Sequence, residues 1–343
     1  MIFSKKQLKS FVCESHCIMR MSAFATRHLP RIFMYHRFTG EICDSGHVVS
    51  RENFNWQLQQ IKQGPWTTMT LAEYIFRRRR GYVIPAYTVI LTIDDGYQDF
   101  YEVAYPLLKE HGFSATFFVT TGFIEDENWF WYDLLRYAID HAEKTDAEIR
   151  FGNHSILLET ATKVEKDQTW QRLSDICIDI SDHDKWSLID EVVKKLCVEV
   201  PDKPTREYAP ATWEQLKEMA ENGIEIGAHS STHPVLSQLD TEKLPDEICK
   251  PREIISSRLG RPVETICYPN GRKIDVTSEV MDFVKTAGYR GGVLGGGVDF
   301  SDLLRLPRLG VTNDRDDFLW KLYGVEQIMT MKSLKMLPRG TGV

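Results

Sequence analysis

The chain alternates short apolar runs with longer amphipathic segments over most of its 343 residues. Apolar runs rich in β-branched and aromatic residues predict strands at 31–36, 89–93, 114–120, 224–228, 263–268, 289–294 and 305–311. Segments with helical periodicity predict helices at 54–63, 70–79, 99–111, 212–222, 241–259, 275–287 and 314–323. Strands that alternate with helices form a parallel sheet, which over this length is expected to close into a barrel.

The alternation breaks once, at residues 125–208, where many charges, helical stretches and a candidate hairpin near 151–158 are typical of an insertion or lid between two βα units. The residues before the first strand are expected to be loosely ordered. We predict an N-terminal extension, a first barrel part, the insertion, a second barrel part and a C-terminal tail. Their boundaries are 1–29, 30–124, 125–208, 209–325 and 326–343.

Composition narrows the class of protein. A hydrophobic fraction of 42% and an aromatic fraction of 11% are typical of a folded enzyme. The formal net charge of -7 argues against nucleic-acid binding, which usually needs a basic surface. No secretory signal and no run of ~18 apolar residues is found, so we predict a cytoplasmic protein with no membrane span. Seven irregularly spaced cysteines favour reduced thiols. The oligomeric state is not predicted.

Two adjacent carboxylates, Asp94 and Asp95, end the apolar strand predicted at 89–93. Ionised carboxylates at the edge of a core are costly unless they coordinate a metal or accept hydrogen bonds. The chain turns at Gly96, so both side chains can reach one site. The alternative is a strand end followed by an aspartate that caps a helix, and this motif alone does not decide between the two.

Two histidines, His229 and His233, follow the strand predicted at 224–228. If the segment forms a helical turn, residues four apart lie on one side and can chelate one metal. The alternative is a pair of loop histidines hydrogen-bonded to their neighbours. Because polar residues at the strand ends of such folds collect at one rim, the two motifs are expected to meet.

Together these residues predict a hydrolytic centre. Two imidazoles and the Asp95 carboxylate form a metal site with positions open for water or substrate. Asp94 can then act as the base that deprotonates a water at the metal, whose Lewis acidity lowers the pKa of that water toward ~7. Zinc suits this ligand set best, with manganese, cobalt or nickel as substitutes.

The chain carries four short motifs: TIDDG at 92–96, HSSTH at 229–233, MYHRF at 34–38 and YPNG at 268–271. With them it resembles the polysaccharide deacetylases that share the NodB homology domain, carbohydrate esterase family 4. The similarity extends over roughly residues 30–124 and 209–320. It implies an α/β fold, a distorted (β/α) barrel of about seven parallel strands with a mostly helical insertion.

The resemblance also implies roles for individual residues. Asp94 is then the general base, and Asp95, His229 and His233 are the metal ligands. The backbone N–H of Asn270 helps to stabilise the tetrahedral oxyanion, although a YPNG sequence is also what a simple turn requires.

Two aromatic residues are candidates for substrate binding. They are Tyr268 in the YPNG motif and Trp131 in the run Trp-Phe-Trp-Tyr at 129–132. Aromatic faces suit sugar rings, and packing in a core is the alternative for the run.

The sequence departs from the family pattern in two places. The family often has an arginine that orients the base where this chain has Cys267, and a late histidine as general acid where this chain has none after His233. Arg308 falls in the late region and could orient Asp94 or bind an anionic group, but it cannot release a proton. His36 ends the first strand and is our candidate for the acid.

We therefore predict a metal-dependent hydrolase that removes an N-acetyl group from an amino sugar in a polysaccharide or glycan precursor. Two alternatives stay open. One is a carbohydrate-binding pseudoenzyme, motivated by the missing arginine and late histidine. The other is a hydrolase of the same fold that opens cyclic amides.

Overall fold

The computed structural model describes residues 5–41, 48–126, 128–152 and 154–333. The strands are β1 (Arg31–Tyr35), β2 (Arg37–Thr39), β3 (Val48–Ser50), β4 (Thr67–Thr68), β5 (Thr88–Ile93), β6 (Ala115–Val119), β7 (Asp146–Phe151), β8 (His154–Glu159), β9 (Ile224–Ala228), β10 (Thr265–Cys267), β11 (Gly291–Val293) and β12 (Leu309–Gly310). The helices are α1 (Lys5–Glu14), α2 (His16–Ala25), α3 (Arg51–Gln63), α4 (Leu71–Arg80), α5 (Tyr105–His111), α6 (Thr121–Asp126), α7 (Trp131–Asp140), α8 (Lys163–Asp179), α9 (Asp182–Leu196), α10 (Trp213–Glu221), α11 (Leu244–Leu259), α12 (Ser278–Ala287), α13 (Arg315–Leu322) and α14 (Val325–Ser333).

Seven parallel strands follow one another in the central sheet in the order β11-β10-β9-β6-β5-β1-β12, and the two-residue β4 pairs with β5 as an eighth strand beside them. The segment that leads into β12 brings the two edges together, because Leu306 bridges Val293 of β11 while Leu309 pairs with Phe33 of β1. The Leu294 N–H donates to the Leu306 carbonyl at 2.8 Å, next to that bridge. The sheet therefore curls into a distorted barrel, which confirms the predicted fold.

Apolar side chains fill the barrel and separate its two ends. Ile32, Ile90 and Phe118 point inward and are fully buried, and Leu71 of α4 belongs to the same cluster. The Leu71 N–H donates to the hydroxyl of Thr116 near the start of β6, so α4 covers the N-terminal ends of the strands. The open rim, where polar residues collect, is at the other end.

The insertion has a hydrophobic core of its own. Helices α7, α8 and α9 pack with the antiparallel hairpin of β7 and β8, and Leu135, Leu173 and Ile189 are fully buried between them. The predicted hairpin is present, but it begins at Asp146, earlier than expected. The insertion boundaries 125–208 stay a prediction. Helix α6 begins at Thr121, before the first of these boundaries, and packs beside α11.

Both ends of the described chain contain helices. The N-terminal extension was expected to be loose, but residues 5–25 form α1 and α2, since Met19 and Ala23 bury apolar surface and Lys9 pairs with Asp317 of α13. The tail predicted from residue 326 begins instead as α14, which contacts α2. Among the described residues, no helix combines the length and apolar character needed to cross a bilayer.

Candidate metal and catalytic site

The turn after β5 directs Asp94 and Asp95 to different partners. Asp94 is held in line with β1, because its N–H donates to the Tyr35 carbonyl at 3.0 Å. Asp95 has a φ of 81° and Gly96 a φ of 109°, so the chain turns sharply at these two residues. Both carboxylates are almost completely buried. The predicted turn thus exists, and it lets adjacent residues serve one site.

The HSSTH segment after β9 is clamped from both sides. Glu247 of α11 accepts hydrogen bonds from the N–H groups of Ser231 and Thr232, each at 2.9 Å, and from the Thr232 hydroxyl at 2.8 Å. The N–H of Gly122 in the first turn of α6 donates to the Ser231 carbonyl at 2.8 Å. A Cβ at Gly122 would lie 2.6 Å from that oxygen, so this approach requires glycine. The histidines are therefore presented by a rigid loop.

His229, His233 and Asp95 meet as the motifs predict. The Nε2 atoms of His229 and His233 lie 3.3 and 3.6 Å from Oδ1 of Asp95. One ligand atom from each residue lies within 4.8 Å of the others, and all three residues are buried. This geometry fits a divalent cation between them.

The electrostatics of the two histidines differ: burial lowers the pKa of His233, whereas at His229 the neighbouring Cys267, Asp95 and Asp94 outweigh burial and raise the pKa. Burial, together with the neighbouring His229, lowers the pKa of His233 to about 3, so this imidazole stays neutral. A neutral imidazole is the form that binds a metal. The Nδ1 atom of His229 lies 2.8 Å from the Cys267 carbonyl, and an N–H donated there leaves Nε2 to face Asp95.

Arg308 contacts both oxygens of Asp94. Its Nη1 lies 2.6 Å from Oδ1 and its Nη2 lies 2.7 Å from Oδ2, a bidentate pair inside the barrel. Further donors of the same guanidinium reach the Thr92 hydroxyl and the Leu294 carbonyl, each at 3.0 Å. Burial works against ionisation of Asp94, but the charge and hydrogen bonds of Arg308 hold its pKa below the ordinary value.

Cys267 lies beside this pair. Its Sγ is 3.1 Å from Nη2 of Arg308 and 3.5 Å from Oδ2 of Asp94, and the residue is fully buried. A cysteine is small enough to leave room for a guanidinium that enters from the segment before β12. The arginine that the sequence lacks at position 267 thus has a counterpart in Arg308, which occupies the space beside the thiol.

His36 and Asn270 lie at the open side of the site. Nε2 of His36 is 3.8 Å from Oδ2 of Asp94, and its side chain is about one third exposed. Asn270 follows β10 in the left-handed region, with a φ of 58°, and its buried side-chain nitrogen has no hydrogen-bond partner among the described residues. His36 thus lies beside Asp94, and Asn270 follows β10 at the same end of the barrel; their roles stay predictions.

Tyr268 and Trp131 are not placed at the cleft. The Tyr268 side chain turns into the core, where its hydroxyl donates to the Leu304 carbonyl at 2.9 Å. Trp131 is buried in the core of the insertion, with the Lys185 ammonium over its ring. Their prediction as substrate-binding residues is corrected, because each ring packs against its own domain.

Two residues near the site were missed by the sequence analysis. Tyr132, next to Trp131, packs its ring against His233 with centroids 5.6 Å apart, and its buried hydroxyl lies near Asp95. Glu247 clamps the histidine loop. Tyr132 belongs to the aromatic run at 129–132. Adjacent residues of a helix point in different directions, so Trp131 packs in the core of the insertion while Tyr132 packs against His233. Nothing in the local sequence marks Glu247.

Backbone strain is concentrated at this rim. Six non-glycine residues among those described have a positive φ, and four of them belong to the motifs: Asp95, Ser230, His233 and Asn270. Such conformations cost of order 1–3 kcal/mol each and persist where the surroundings enforce them. These conformations are thus concentrated at the end of the barrel that carries the candidate site.

The comparison with protein families agrees with this site. Residues 84–183 and 189–292 match the model of the polysaccharide deacetylases. The chain belongs to the polysaccharide deacetylase family. The match includes Asp94, Asp95, His229, His233 and Asn270, and it confirms the resemblance drawn from the motifs. A polysaccharide deacetylase is a hydrolase that acts on amide bonds of carbohydrates.

Sequence similarity to a curated relative covers only a short part of this polysaccharide deacetylase. The chain is 32% identical over 89 residues to the poly-beta-1,6-N-acetyl-D-glucosamine N-deacetylase of Staphylococcus aureus. That match covers 26% of this chain and 30% of the relative. It therefore supports a function only as a proposal.

Solved structures share the fold over most of the chain. The Streptococcus pyogenes deacetylase PplD, determined in complex with acetate, aligns with a TM-score of 0.56 and 19% identity over 88% of this chain and 97% of that one. IcaB from Ammonifex degensii aligns with a TM-score of 0.56 and 17% identity over 86% of this chain and 97% of that one. At these identities the likeness concerns the fold alone.

Proposed function

We propose that this protein is a metal-dependent N-deacetylase that hydrolyses the acetamide of an N-acetylated amino sugar in a polysaccharide or glycan precursor. One observation carries the proposal: a spare carboxylate, Asp94, lies beside a buried cluster of two imidazoles and one carboxylate. A binding protein has no need to keep that second carboxylate buried. A bound metal together with a general base is one arrangement that catalyses amide hydrolysis.

The three ligands fit a divalent cation. Asp95, His229 and His233 supply one oxygen and two nitrogens, all buried and within 4.8 Å of one another. We expect zinc first, with manganese, cobalt or nickel as alternatives for this ligand set. When bound, the cation would polarise the acetyl carbonyl and lower the pKa of a water toward ~7.

Asp94 acts as the general base in this proposal. Its carboxylate accepts a proton from the attacking water, and Arg308 holds both of its oxygens so that the carboxylate stays ionised and oriented. Because the two Arg308 contacts are 2.6 and 2.7 Å long, rotation of the carboxylate would break a charge-assisted hydrogen bond. The absence of an arginine at position 267 was one reason to consider a pseudoenzyme. Because Arg308 contacts Asp94 instead, that reason carries less weight.

The remaining steps fall to Asn270 and His36. The backbone N–H of Asn270 would stabilise the tetrahedral oxyanion, a contribution of about 2.7–4 kcal/mol for one such donor. His36 would deliver the proton that the leaving amine needs, since its Nε2 lies 3.8 Å from Asp94 on the exposed side of the site. An imidazole can both accept and release a proton near neutral pH, which an arginine cannot.

The cleft beside the site has room for sugar units. A cavity of about 660 Å³ extends from Asn270 along the glycine-rich loop at 295–297 to Arg305. The curated relative from Staphylococcus aureus acts on poly-beta-1,6-N-acetyl-D-glucosamine by its name. We therefore propose β-1,6-linked N-acetylglucosamine oligomers as the first substrate to test.

Acetate release tests the proposal. The purified protein would be stripped of metal with a chelator, reloaded with zinc or manganese, and incubated with β-1,6-linked N-acetylglucosamine oligomers, N-acetylglucosamine and a cyclic amide. We expect acetate from the oligomers only in the reloaded protein, and none from a His229→Ala variant. Bound metal without acetate from any amino sugar would favour a binding protein, and ring opening of the cyclic amide would favour the other hydrolase.

A further inference from the structure

Helix α2 has apolar residues on two opposite faces. Met19, Ser22 and Ala23 are buried against the rest of the protein. On the other side Ile18, Met21 and Phe24 are exposed, and Met21 is 66% exposed. A surface helix ordinarily presents polar residues to solvent, so a helix that is apolar all round implies a second contact surface.

A second exposed apolar group lies at the end of α4 and in the loop after it. Phe76, Tyr82 and Val83 are exposed, Val83 by 83%. The rings of Phe76 and Tyr82 contact each other edge to face, with centroids 5.9 Å apart. Arg79 and Arg80 are exposed beside them.

The two groups flank the same end of the barrel. The Tyr87 N–H, just before β5, donates to the Arg27 carbonyl, just before β1, at 2.6 Å. Strands β1 and β5 then run side by side toward the catalytic rim. Both groups therefore lie at the N-terminal ends of the strands, opposite Asp94. We refer to the six exposed apolar residues Ile18, Met21, Phe24, Phe76, Tyr82 and Val83 as the basal face.

The charge of the basal face differs from that of the chain. Residues 15–30 and 74–88 contain six arginines and no aspartate or glutamate, whereas the whole chain has a net charge of -7. Six of the eleven large apolar residues that are exposed in the described part of the chain belong to the basal face. Exposed aromatic and aliphatic side chains next to an excess of arginines, with Glu73 of α4 held in an ion pair with Arg77, are complementary to an anionic, partly apolar surface.

We propose that the basal face binds the surface of an anionic lipid bilayer. Its apolar side chains would enter the boundary between headgroups and acyl chains, while the arginines contact lipid phosphates. A second copy of this chain is a poorer occupant, because two faces of the same positive charge would repel each other. Attachment through this end leaves the catalytic rim facing away from the lipid, toward a polymer outside the bilayer.

Co-sedimentation with vesicles tests the proposal without any catalytic step. The full chain would be mixed with vesicles of phosphatidylcholine alone, or of equal parts phosphatidylcholine and phosphatidylglycerol. We expect binding to the anionic vesicles only, weakened by added salt. No binding at low salt, or equal binding to both kinds of vesicle, would overturn the proposal.

Two double variants and a control locate the surface. Arg79→Gln with Arg80→Gln should weaken vesicle binding about 30-fold, as expected for two cations near an anionic surface, and Met21→Glu with Phe24→Glu should abolish it. Val164→Glu changes a residue of the insertion that is 64% exposed, and it should bind like the parent protein. If all variants that retain the parent melting temperature bind vesicles equally, the assignment is overturned. It is also overturned if the parent protein is a dimer that the variant with Met21→Glu and Phe24→Glu dissociates.

Discussion

Arg308 holds both carboxylate oxygens of Asp94, at 2.6 and 2.7 Å, inside a barrel that excludes water from the pair. The two residues are separated by most of the catalytic domain in sequence, and they meet because the segment before β12 closes the barrel against β1. A buried pair of this kind is destabilised by about 3–5 kcal/mol when one partner is removed. Arg308 is thus tied both to the fold and to the base.

Replacing Arg308 by glutamine should raise the pKa of Asp94, because burial then acts without an opposing cation. The acid limb of the pH profile of kcat/KM should move to higher pH, and the rate at neutral pH should fall by about 100-fold or more, within the range of a general base. Arg308→Lys keeps the charge but loses the second hydrogen bond. It should leave the acid limb near its original pH while lowering kcat.

Arg290→Gln is the matched control for this change. Arg290 lies just before β11, at the N-terminal ends of the strands, is exposed and pairs with Glu264. Its replacement should leave the acid limb unchanged. An Arg308→Gln variant whose acid limb stays in place would contradict the link between the two residues.

His36→Gln should lower kcat by about 10²–10⁴-fold, the range for proton transfer by a positioned side chain, while metal content stays that of the parent. The reason is that Nε2 of His36 lies 3.8 Å from Oδ2 of the base Asp94, on the exposed side of the site, and that His36 is not one of the three proposed metal ligands. Deacetylation rates and metal analysis of the same preparation check this. A His36→Gln variant with near-parental kcat, alongside an inactive His229→Ala variant, would remove His36 as the acid.

Glu247→Gln should weaken metal binding by about 10–100-fold, as loss of a group that positions a metal ligand usually does. The glutamine cannot accept both N–H groups of the HSSTH loop with the strength of a carboxylate. Titration of the metal-free protein with zinc measures the change. Glu253→Gln on the exposed side of the same helix is the control, and equal affinities for the two variants would rule out the clamp.

Asp133→Asn should increase stability progressively as the pH rises. Burial raises the pKa of Asp133 to about 7 from an unfolded value of 3.8, so the folded protein retains a proton that the unfolded chain releases. Stability contributed by the protonated form is fully present below pH 4 and is lost as the pH rises through 7. An asparagine at this position does not ionise, so the variant does not lose stability in this way as the pH rises.

Calorimetric melting from pH 5 to pH 8 checks this prediction. The difference in Tm between Asp133→Asn and the parent should grow with pH, while Asp282→Asn, an exposed carboxylate, should show no such trend. A constant or shrinking difference would mean that Asp133 ionises in the folded protein as easily as in the unfolded chain.

Much of the fold could be predicted from the sequence because its signals are local. The strand at β5 is six consecutive buried residues, and helices such as α4 and α10 carry threonine caps that bind the N–H three residues on. The terminal helices could not be predicted in the same way. Helix α14 depends on its contact with α2, and a distant partner leaves no periodic signal in a short segment.

In the candidate site, too, the residues with local sequence signals could be predicted and those that depend on distant contacts could not. Asp94, Asp95, His229 and His233 stand in short motifs at strand ends, and parallel strands bring such ends together. The contact of Arg308 with Asp94 was only one of two roles suggested by the sequence, because barrel closure decides it. The prediction that Tyr268 and Trp131 bind substrate was wrong because aromatic residues next to a motif can turn into the core as readily as into a cleft.

The central claim is that metal binding and base catalysis belong to different carboxylates. Asp94→Asn separates them most directly, measured by zinc content and acetate release from β-1,6-linked N-acetylglucosamine oligomers on one preparation. The account predicts zinc at the level of the parent protein with a rate lower by about 10²–10⁴-fold. An Asp94→Asn variant that loses zinc, or one that retains parental acetate release, would contradict it.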